Sequence, residues 1–78
     1  MASSDPPRIH PLKLWLLQHG MPQLTLVEAM GVSPALVSRW LSGGRVMQRE
    51  DRELAEDLTG GDVTAAAIER WQDARRAD

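Results

Sequence analysis

A chain of 78 residues without cysteine is too short for more than one domain, and it can form neither a disulfide framework nor a thiolate metal site. No apolar run reaches the roughly 20 residues that span a bilayer, and Met1 to Pro7 lacks the charged and apolar parts of a signal peptide. The net charge is −2, so the overall charge alone gives no attraction to nucleic acid.

The chain begins with a predicted flexible arm, followed by a short helix. Three prolines within Met1 to Pro11 remove backbone donors and predict a flexible arm over that range. Apolar residues at helical spacing predict a helix from Leu12 to His19, and Gly20 is expected to end it. Trp15 lies on the apolar side of this helix and is expected in the core.

Two more helices are predicted between Pro22 and Gly43. Pro22 can open the first, because a proline at the first helical position gives up only a donor that would be orphaned anyway. Gly31 is expected to end that helix. Ser33 is then a predicted N-cap in front of Pro34, and Gly43 is expected to close the second helix.

The last third of the chain is predicted to hold two further helices, from Asp51 to Leu58 and from Thr64 onward. Leu54, Ala55 and Leu58 are expected to face the core. Strands are not expected, because the sequence has no sustained alternation of apolar and polar residues and no Asn-Gly turn. The predicted fold class is therefore all-α, a compact bundle of about five short helices.

Charge is distributed unevenly along the chain. Between Arg8 and Arg52 there are six basic and three acidic residues, whereas Glu53 to Asp78 holds seven acidic and three basic residues. This division is compatible with one face that meets phosphate and another that faces away from it.

The two helices between Gln23 and Gly43 are separated by only a few residues around Gly31. A link this short makes two helices cross steeply, as they do in a helix-turn-helix. The second helix would present a polar side of small residues and one arginine, which suits entry into a major groove about 12 Å wide. Trp40, at helical spacing from Val37, is expected to pack in the core on the opposite side.

This segment resembles the helix-turn-helix of the phage Cro/repressor superfamily, whose pattern runs Gln-x-x-Leu-Ala-x-x-x-Gly-Val-Ser-x-x-x-Val-Ser-Arg-Trp-x-x-Gly. The residues that match are Gln23, Leu26, Gly31, Val32, Ser33, Val37, Ser38, Arg39, Trp40 and Gly43. The stretch from Leu58 to Thr64 is also similar to short Cro-like and prophage antitoxin-type regulators. The resemblance covers roughly Leu12 to Thr64 and implies a lambda repressor-like fold.

The resemblance also implies roles for individual side chains. Those expected to face base edges are Pro34, Ala35, Ser38 and Arg39. Arg39 is the best candidate for a bidentate contact with guanine, whereas Pro34 stands where many members carry glutamine and can touch a thymine methyl at most. Phosphate contacts are expected from Gln23, Ser33, Ser42, Arg45 and Arg49.

The predicted organisation is a flexible arm at 1–11, a helix-turn-helix domain at 12–64 and a C-terminal helix or tail at 65–78. The tail is a candidate for dimerisation or partner contact through Ile68 and Trp71. Trp71 is expected either to pack inward or to meet a partner chain.

These observations predict a DNA-binding transcriptional regulator, a Cro-like repressor that binds a pseudo-palindromic operator in double-stranded DNA as a homodimer. We expect it in the cytoplasm of a bacterial or phage-infected cell, at the nucleoid. The alternative is a protein-interaction module or antitoxin that binds a partner through its acidic C-terminal third. An enzyme is least favoured, because no acid, base and nucleophile converge in the sequence. No cofactor or small-molecule ligand is expected. A metal site is not expected either, since His10 and His19 lie nine residues apart without a third ligand.

Overall fold

The computed structural model describes residues 9–76, the last of them by its backbone alone, and within this range the chain forms five helices and no strand. The helices are α1 (Pro11–Gln18), α2 (Leu24–Met30), α3 (Pro34–Ser42), α4 (Arg49–Leu58) and α5 (Ala65–Arg76). The predicted all-α bundle of five short helices is confirmed. None of the described helices is both long and apolar enough to cross a bilayer.

Helix α1 begins at Pro11, one residue earlier than the sequence predicts, and His10 precedes it as its N-cap. The Nδ1 atom of His10 accepts a hydrogen bond from the Leu12 amide at 3.0 Å and so caps α1. Its ring is fully buried against the Trp71 indole, with ring centroids 4.6 Å apart. The predicted flexible arm is therefore wrong at residues 10 and 11, because the histidine both satisfies a helix end and fills a core position. Residues 1–8 of that arm lie outside the described range.

The ends of α2 and α3 lie close to the predicted positions. Gly31 follows α2 with φ of 68°, a left-handed conformation that few residues other than glycine adopt at low cost. The Ser33 hydroxyl accepts a hydrogen bond from the Leu36 amide at 3.1 Å, and Pro34 occupies the first turn of α3. Both signals for starting and stopping a helix are local in sequence, which explains why they could be predicted.

The core lies where the helices meet. Trp40 is buried as predicted, and Trp15 is partly buried and packs against the core. The buried apolar residues are Leu12, Leu16, Leu26, Val37, Trp40, Leu41, Met47, Ala55, Val63, Ile68 and Trp71. Every described helix contributes at least one of them, so the core depends on all five.

The C-terminal helix α5 is part of this same core and packs against α4 and α1. Ile68 is 0% exposed and Trp71 is 3% exposed. The boundary predicted between 12–64 and the C-terminal helix or tail at 65–78 therefore does not divide the core. A chain of this size has little apolar area to spare, so the face of α5 that carries these two side chains is turned inward.

Helix α4 buries less than the sequence predicts. Ala55 faces the core as expected, but Leu54 and Leu58 are 38% and 39% exposed. Leu54 precedes Ala55 by one residue and Leu58 follows it by three, so both flank the contact on the same side. The alanine allows close packing while the two leucines lie at its edge.

Polar contacts join α4 to α5 and to the loop after α3. The Arg52 guanidinium donates to the Met47 carbonyl at 2.7 Å and to the Glu69 carboxylate at 3.2 Å. The Glu56 carboxylate accepts from the Ala65 amide at 2.8 Å and so satisfies a donor in the first turn of α5. These bonds fix the position of α5 relative to the segment that follows α3.

Candidate nucleic-acid interface

The turn between α2 and α3 is three residues long and is stabilised by backbone hydrogen bonds. The amides of Gly31 and Val32 both donate to the Val27 carbonyl, at 2.9 and 3.3 Å. Because Gly31 adopts the left-handed conformation, the chain leaves α2 abruptly and enters the Ser33 cap two residues later. This local geometry lets α3 begin after only three intervening residues, and the two helices pack against each other.

Helix α3 has one buried side and one exposed side. Val37, Trp40 and Leu41 are buried, and Leu36 is partly buried and packs against the core. The four residues predicted to face base edges, Pro34, Ala35, Ser38 and Arg39, are all exposed. They recur at spacings of three and four residues, so they share one face of the helix.

Arg39 is the cation on the exposed face of α3. Among residues 9–76 its side chain forms no ion pair and no hydrogen bond. Its guanidinium therefore keeps its donors for a ligand. Ser38 and Ala35 lie beside it and are small, so the helix surface around the arginine is not obstructed.

Three of the predicted phosphate contacts lie at helix ends and are exposed. Gln23 directly precedes α2 and makes no capping hydrogen bond with its side chain. Ser33 accepts the Leu36 amide through its hydroxyl oxygen, and its O–H can still donate. Ser42 is the last residue of α3, and its hydroxyl donates to the Arg39 carbonyl at 3.2 Å.

The loop after α3 carries Arg45, another predicted phosphate contact. The amides of Gly44 and Arg45 donate to the Arg39 carbonyl at 2.9 and 3.2 Å. The backbone at Arg45 is thus fixed relative to the Arg39 turn of the helix, while the Arg45 side chain is exposed. Among the described residues Arg45 has no acidic partner within ion-pair distance.

Arg49, the last predicted phosphate contact, is placed differently. It begins α4 and pairs with Glu53 at 3.2 Å, and its side chain is 82% exposed. An exposed pair of this kind contributes about 0–1 kcal/mol, so a phosphate could displace the carboxylate at little cost. Arg49 is accessible, but it has a competing partner, whereas Arg39 and Arg45 have none within residues 9–76.

Ile68 and Trp71, the residues predicted to contact a partner, are not on the surface. Both are buried within the monomer, and the rings of Trp71 and His10 pack at an interplanar angle of 62°. Their side chains complete the core, so in the folded monomer neither offers the partner surface for which it was a candidate. The sequence did not decide whether Trp71 packs inward or meets a partner chain, and in the structure it packs inward.

Residues of α5 that the sequence did not single out lie against the end of α3. The Gln72 side-chain oxygen accepts a hydrogen bond from the buried Met47 amide at 2.7 Å. Arg75 donates from Nη2 to the Ser42 carbonyl at 3.3 Å and stacks over Trp71 with 5.0 Å from Cζ to the ring centroid. The spacing of Trp71 and Arg75, four apart on one helix, indicates that they can stack, but not that they reach α3.

His10 has the one pKa that clearly departs from its ordinary value within the described part of the chain. Burial lowers the pKa of His10 from 6.5 to about 4. No charged side chain is needed to explain this shift, because desolvation disfavours the imidazolium form. His10 is thus a neutral structural group at physiological pH, away from the exposed face of α3.

Within residues 9–76 no three His, Asp or Glu side chains come together where they could hold a metal ion. Comparisons of the chain with protein-family models, with curated proteins and with solved structures found no match. The functional interpretation therefore depends on the geometry of α3 and of the residues that flank it.

Proposed function

We propose that the protein binds duplex DNA in a sequence-dependent manner by inserting α3 into the major groove. The observation that carries this proposal is the two-sided character of α3. Its Val37 and Trp40 side fills the core, whereas Ser38 and Arg39 project outward without partners among the described residues. Had either of these two residues been covered by the chain, no reading surface would remain.

Each exposed residue of α3 has a role that suits its chemistry. Arg39 carries a forked guanidinium that matches the O6 and N7 acceptors of guanine. Ser38 can donate to or accept from a neighbouring base edge. Ala35 and the Pro34 ring offer apolar contacts of the size of a thymine methyl group.

The exposed polar residues at the ends of α2 and α3 are proposed to hold the DNA backbone. Gln23 and Ser33 lie at the N-terminal ends of the two helices, where the helix dipole favours an anion. Ser42 and Arg45 lie at the other end of α3, and Arg49 follows at the start of α4. Contacts at both ends of α3 would fix its orientation in the groove.

We further propose that two copies bind a pseudo-palindromic operator and act as a transcriptional repressor at the nucleoid, in the cytoplasm. Two recognition helices would then enter successive major grooves about 34–36 Å apart. Small size supports self-association, because a 78-residue chain gains stability from any further burial. Sedimentation at high concentration, with and without DNA, tests this, and a monomer in both conditions would contradict it.

The alternative, partner binding through the acidic C-terminal third, is less well supported. Its two apolar anchors, Ile68 and Trp71, are in the core and cannot meet a partner without unfolding α5. The exposed residues left on that helix are charged or small, and at interfaces charged side chains are depleted from the energetically central positions.

The proposal is tested by titrating the protein against a pool of randomised duplexes and against uniform competitor DNA at moderate salt. We expect a subset of sequences to be bound at least about 10³-fold more tightly than bulk DNA. If no sequence is preferred over bulk DNA, sequence-dependent binding is excluded.

A further inference from the structure

The C-terminal end of α3 is held by a side chain from α5. Arg75 donates to the Ser42 carbonyl at 3.3 Å and lies over the Trp71 ring, so its guanidinium is oriented from two sides. It packs directly against Gly43, where a Cβ atom would collide with the Arg75 Nε. Gly43 is therefore needed both for its φ of 86° and for the approach of Arg75.

Arg75 and Arg45 line one cavity of about 140 Å³ beside Gly43. One water molecule occupies roughly 30 Å³ in the liquid, so the cavity has room for a phosphate group. The other lining residues are Val46, Trp71 and Gln72, and among residues 9–76 no acidic side chain lines the cavity. Two arginines thus line a shared space in which the described residues place no carboxylate.

Both arginines keep donors for an anion. Arginine has five N–H donors, and the structure uses one of those of Arg75, in the bond to Ser42. Neither Arg45 nor Arg75 forms an ion pair with a carboxylate anywhere in residues 9–76. Both side chains are exposed, so a ligand can reach them from solvent.

The C-terminal end of α3 carries partial negative charge, so a phosphate can lie there only if a cation offsets that charge. The last carbonyls of a helix carry about half a negative charge and repel an anion. Arg75 bonds to one of these carbonyls, that of Ser42, and so offsets their repulsion where Arg45 also lies.

We propose that Arg45 and Arg75 form an arginine clamp that holds one backbone phosphodiester of duplex DNA at the C-terminal end of α3. This inference rests on the proposed function and adds to it a contact from α5, outside the helix-turn-helix. The clamp gives α5 a role in binding as well as in the core.

The test compares Arg75→Gln, Arg75→Lys and Arg70→Gln with the unchanged protein. Arg70 is an exposed arginine on the same helix that does not line the cavity, so it is the matched control. Binding to a random-sequence duplex is followed by fluorescence anisotropy from 50 to 200 mM salt. Losing one phosphate contact reduces the magnitude of the slope of log K against log salt by about 0.9. The ratio of the binding constant of the unchanged protein to that of Arg75→Gln should therefore fall about 3.5-fold from 50 to 200 mM salt.

We expect Arg75→Gln to weaken binding to all duplexes alike and to lower the slope, Arg75→Lys to restore the slope, and Arg70→Gln to leave it unchanged. A purely structural role of Arg75 would change the melting temperature without changing the slope. The clamp is overturned if Arg75→Gln keeps the full slope or if Arg70→Gln lowers it equally. Binding of inorganic phosphate that Arg75→Gln abolishes, with the DNA slope unchanged, would assign the cavity to free anions and also overturn it. Failure of the unchanged protein to bind any duplex would contradict the proposed function instead.

Discussion

At the scale of single residues, His10 combines a helix cap with a buried ring. Its Nδ1 accepts the Leu12 amide, and its Nε2 is buried without a partner among the described residues. Protonation would place a hydrogen on Nδ1, remove the cap and leave a charge in the core. Desolvation of that charge is what lowers the pKa of the imidazole to about 4.

The protein should therefore lose stability on mild acidification. The unfolded chain binds a proton at His10 near pH 6.5 and the folded chain only near pH 4, so the contribution is complete above pH 6.5 and falls as the pH drops between these values. At 1.36 kcal/mol for each pH unit, the loss is about 3 kcal/mol by pH 4. Urea unfolding at several pH values measures it.

His10→Asn keeps an N-cap side chain but removes the imidazole, so the part of this pH dependence that comes from residue 10 should disappear. His19→Asn replaces the other histidine, which is exposed, and should leave the pH dependence of the unfolding free energy unchanged. An unfolding free energy of His10→Asn that falls as steeply between pH 6.5 and 4 as that of the unchanged protein would contradict the assignment.

Single residues also show what could be predicted from the sequence and what could not. The exposure of Arg39 was predictable, because the spacing of Val37, Trp40 and Leu41 fixes which side of the helix is apolar. The burial of Trp71 was not, since one aromatic residue on a charged helix can pack inward or meet another chain. The contact of Arg75 with Ser42 joins residues 33 positions apart, and no local pattern encodes it.

At the scale of elements, the end of α3 is more tightly constrained than the end of α2. Gly31 and Gly43 both have positive φ, but no atom of the described residues lies within 4 Å of a Cβ at Gly31, whereas at Gly43 the Cβ would meet Arg75. The two glycines thus separate the cost of the left-handed backbone from the cost of a steric conflict.

We expect Gly31→Ala to cost about 1–2 kcal/mol, the penalty of the left-handed conformation alone. Gly43→Ala should cost about 1–3 kcal/mol more, because the added methyl group has to displace the guanidinium. Urea unfolding measures both. Adding Arg75→Ala should remove the difference between the two glycine variants, and equal costs in the original background would refute the contact.

The loop between α3 and α4 depends on α5 in a second way. The buried Met47 amide has the Gln72 side chain as its acceptor, at 2.7 Å. Gln72→Leu should cost about 1–3 kcal/mol, the penalty of leaving a buried donor unpaired, and should speed hydrogen exchange at Met47. Gln18→Leu, at an exposed glutamine of α1, is the control and should change neither quantity by more than a few tenths.

Helix boundaries were predictable only where a side chain marks them. Ser33 and Pro34 mark the start of α3 in the sequence, and the structure starts it there. Helix α4 begins at Arg49, two residues before the predicted start at Asp51. The sequence does not mark this start, because the N-cap Gln48 makes no capping hydrogen bond with its side chain.

At the scale of the whole molecule, the fold is one unit from His10 to the end of α5. Sequence reasoning predicted the number and type of helices, because their apolar spacing and glycine breaks are local. It separated α5 from the rest because the small and charged residues of that helix conceal the burial of Ile68 and Trp71. Which helices share a core depends on contacts between residues distant in sequence, and the local pattern of one amino-acid sequence does not encode these contacts.

A chain that ends after Thr64 should therefore fail to fold cooperatively. Even Ile68→Ala alone should cost about 2–5 kcal/mol, a large part of the stability of a small domain. Thermal unfolding followed by circular dichroism measures both. Ala66→Ser, at an exposed position of the same helix, should melt close to the unchanged protein, and a cooperative transition in the truncated chain would contradict the single-unit fold.

Base readout by α3 is tested by parallel selection of bound duplexes from a randomised pool by the unchanged protein and by Arg39→Ala, followed by sequencing. We predict that the unchanged protein enriches two related half-sites containing guanine. Arg39→Ala should lose preference at one base pair of each half-site, with a cost of about 1–3 kcal/mol, and keep the rest. Identical motifs from both proteins would show that Arg39 reads no base pair, and no motif from either would show that α3 does not select a sequence.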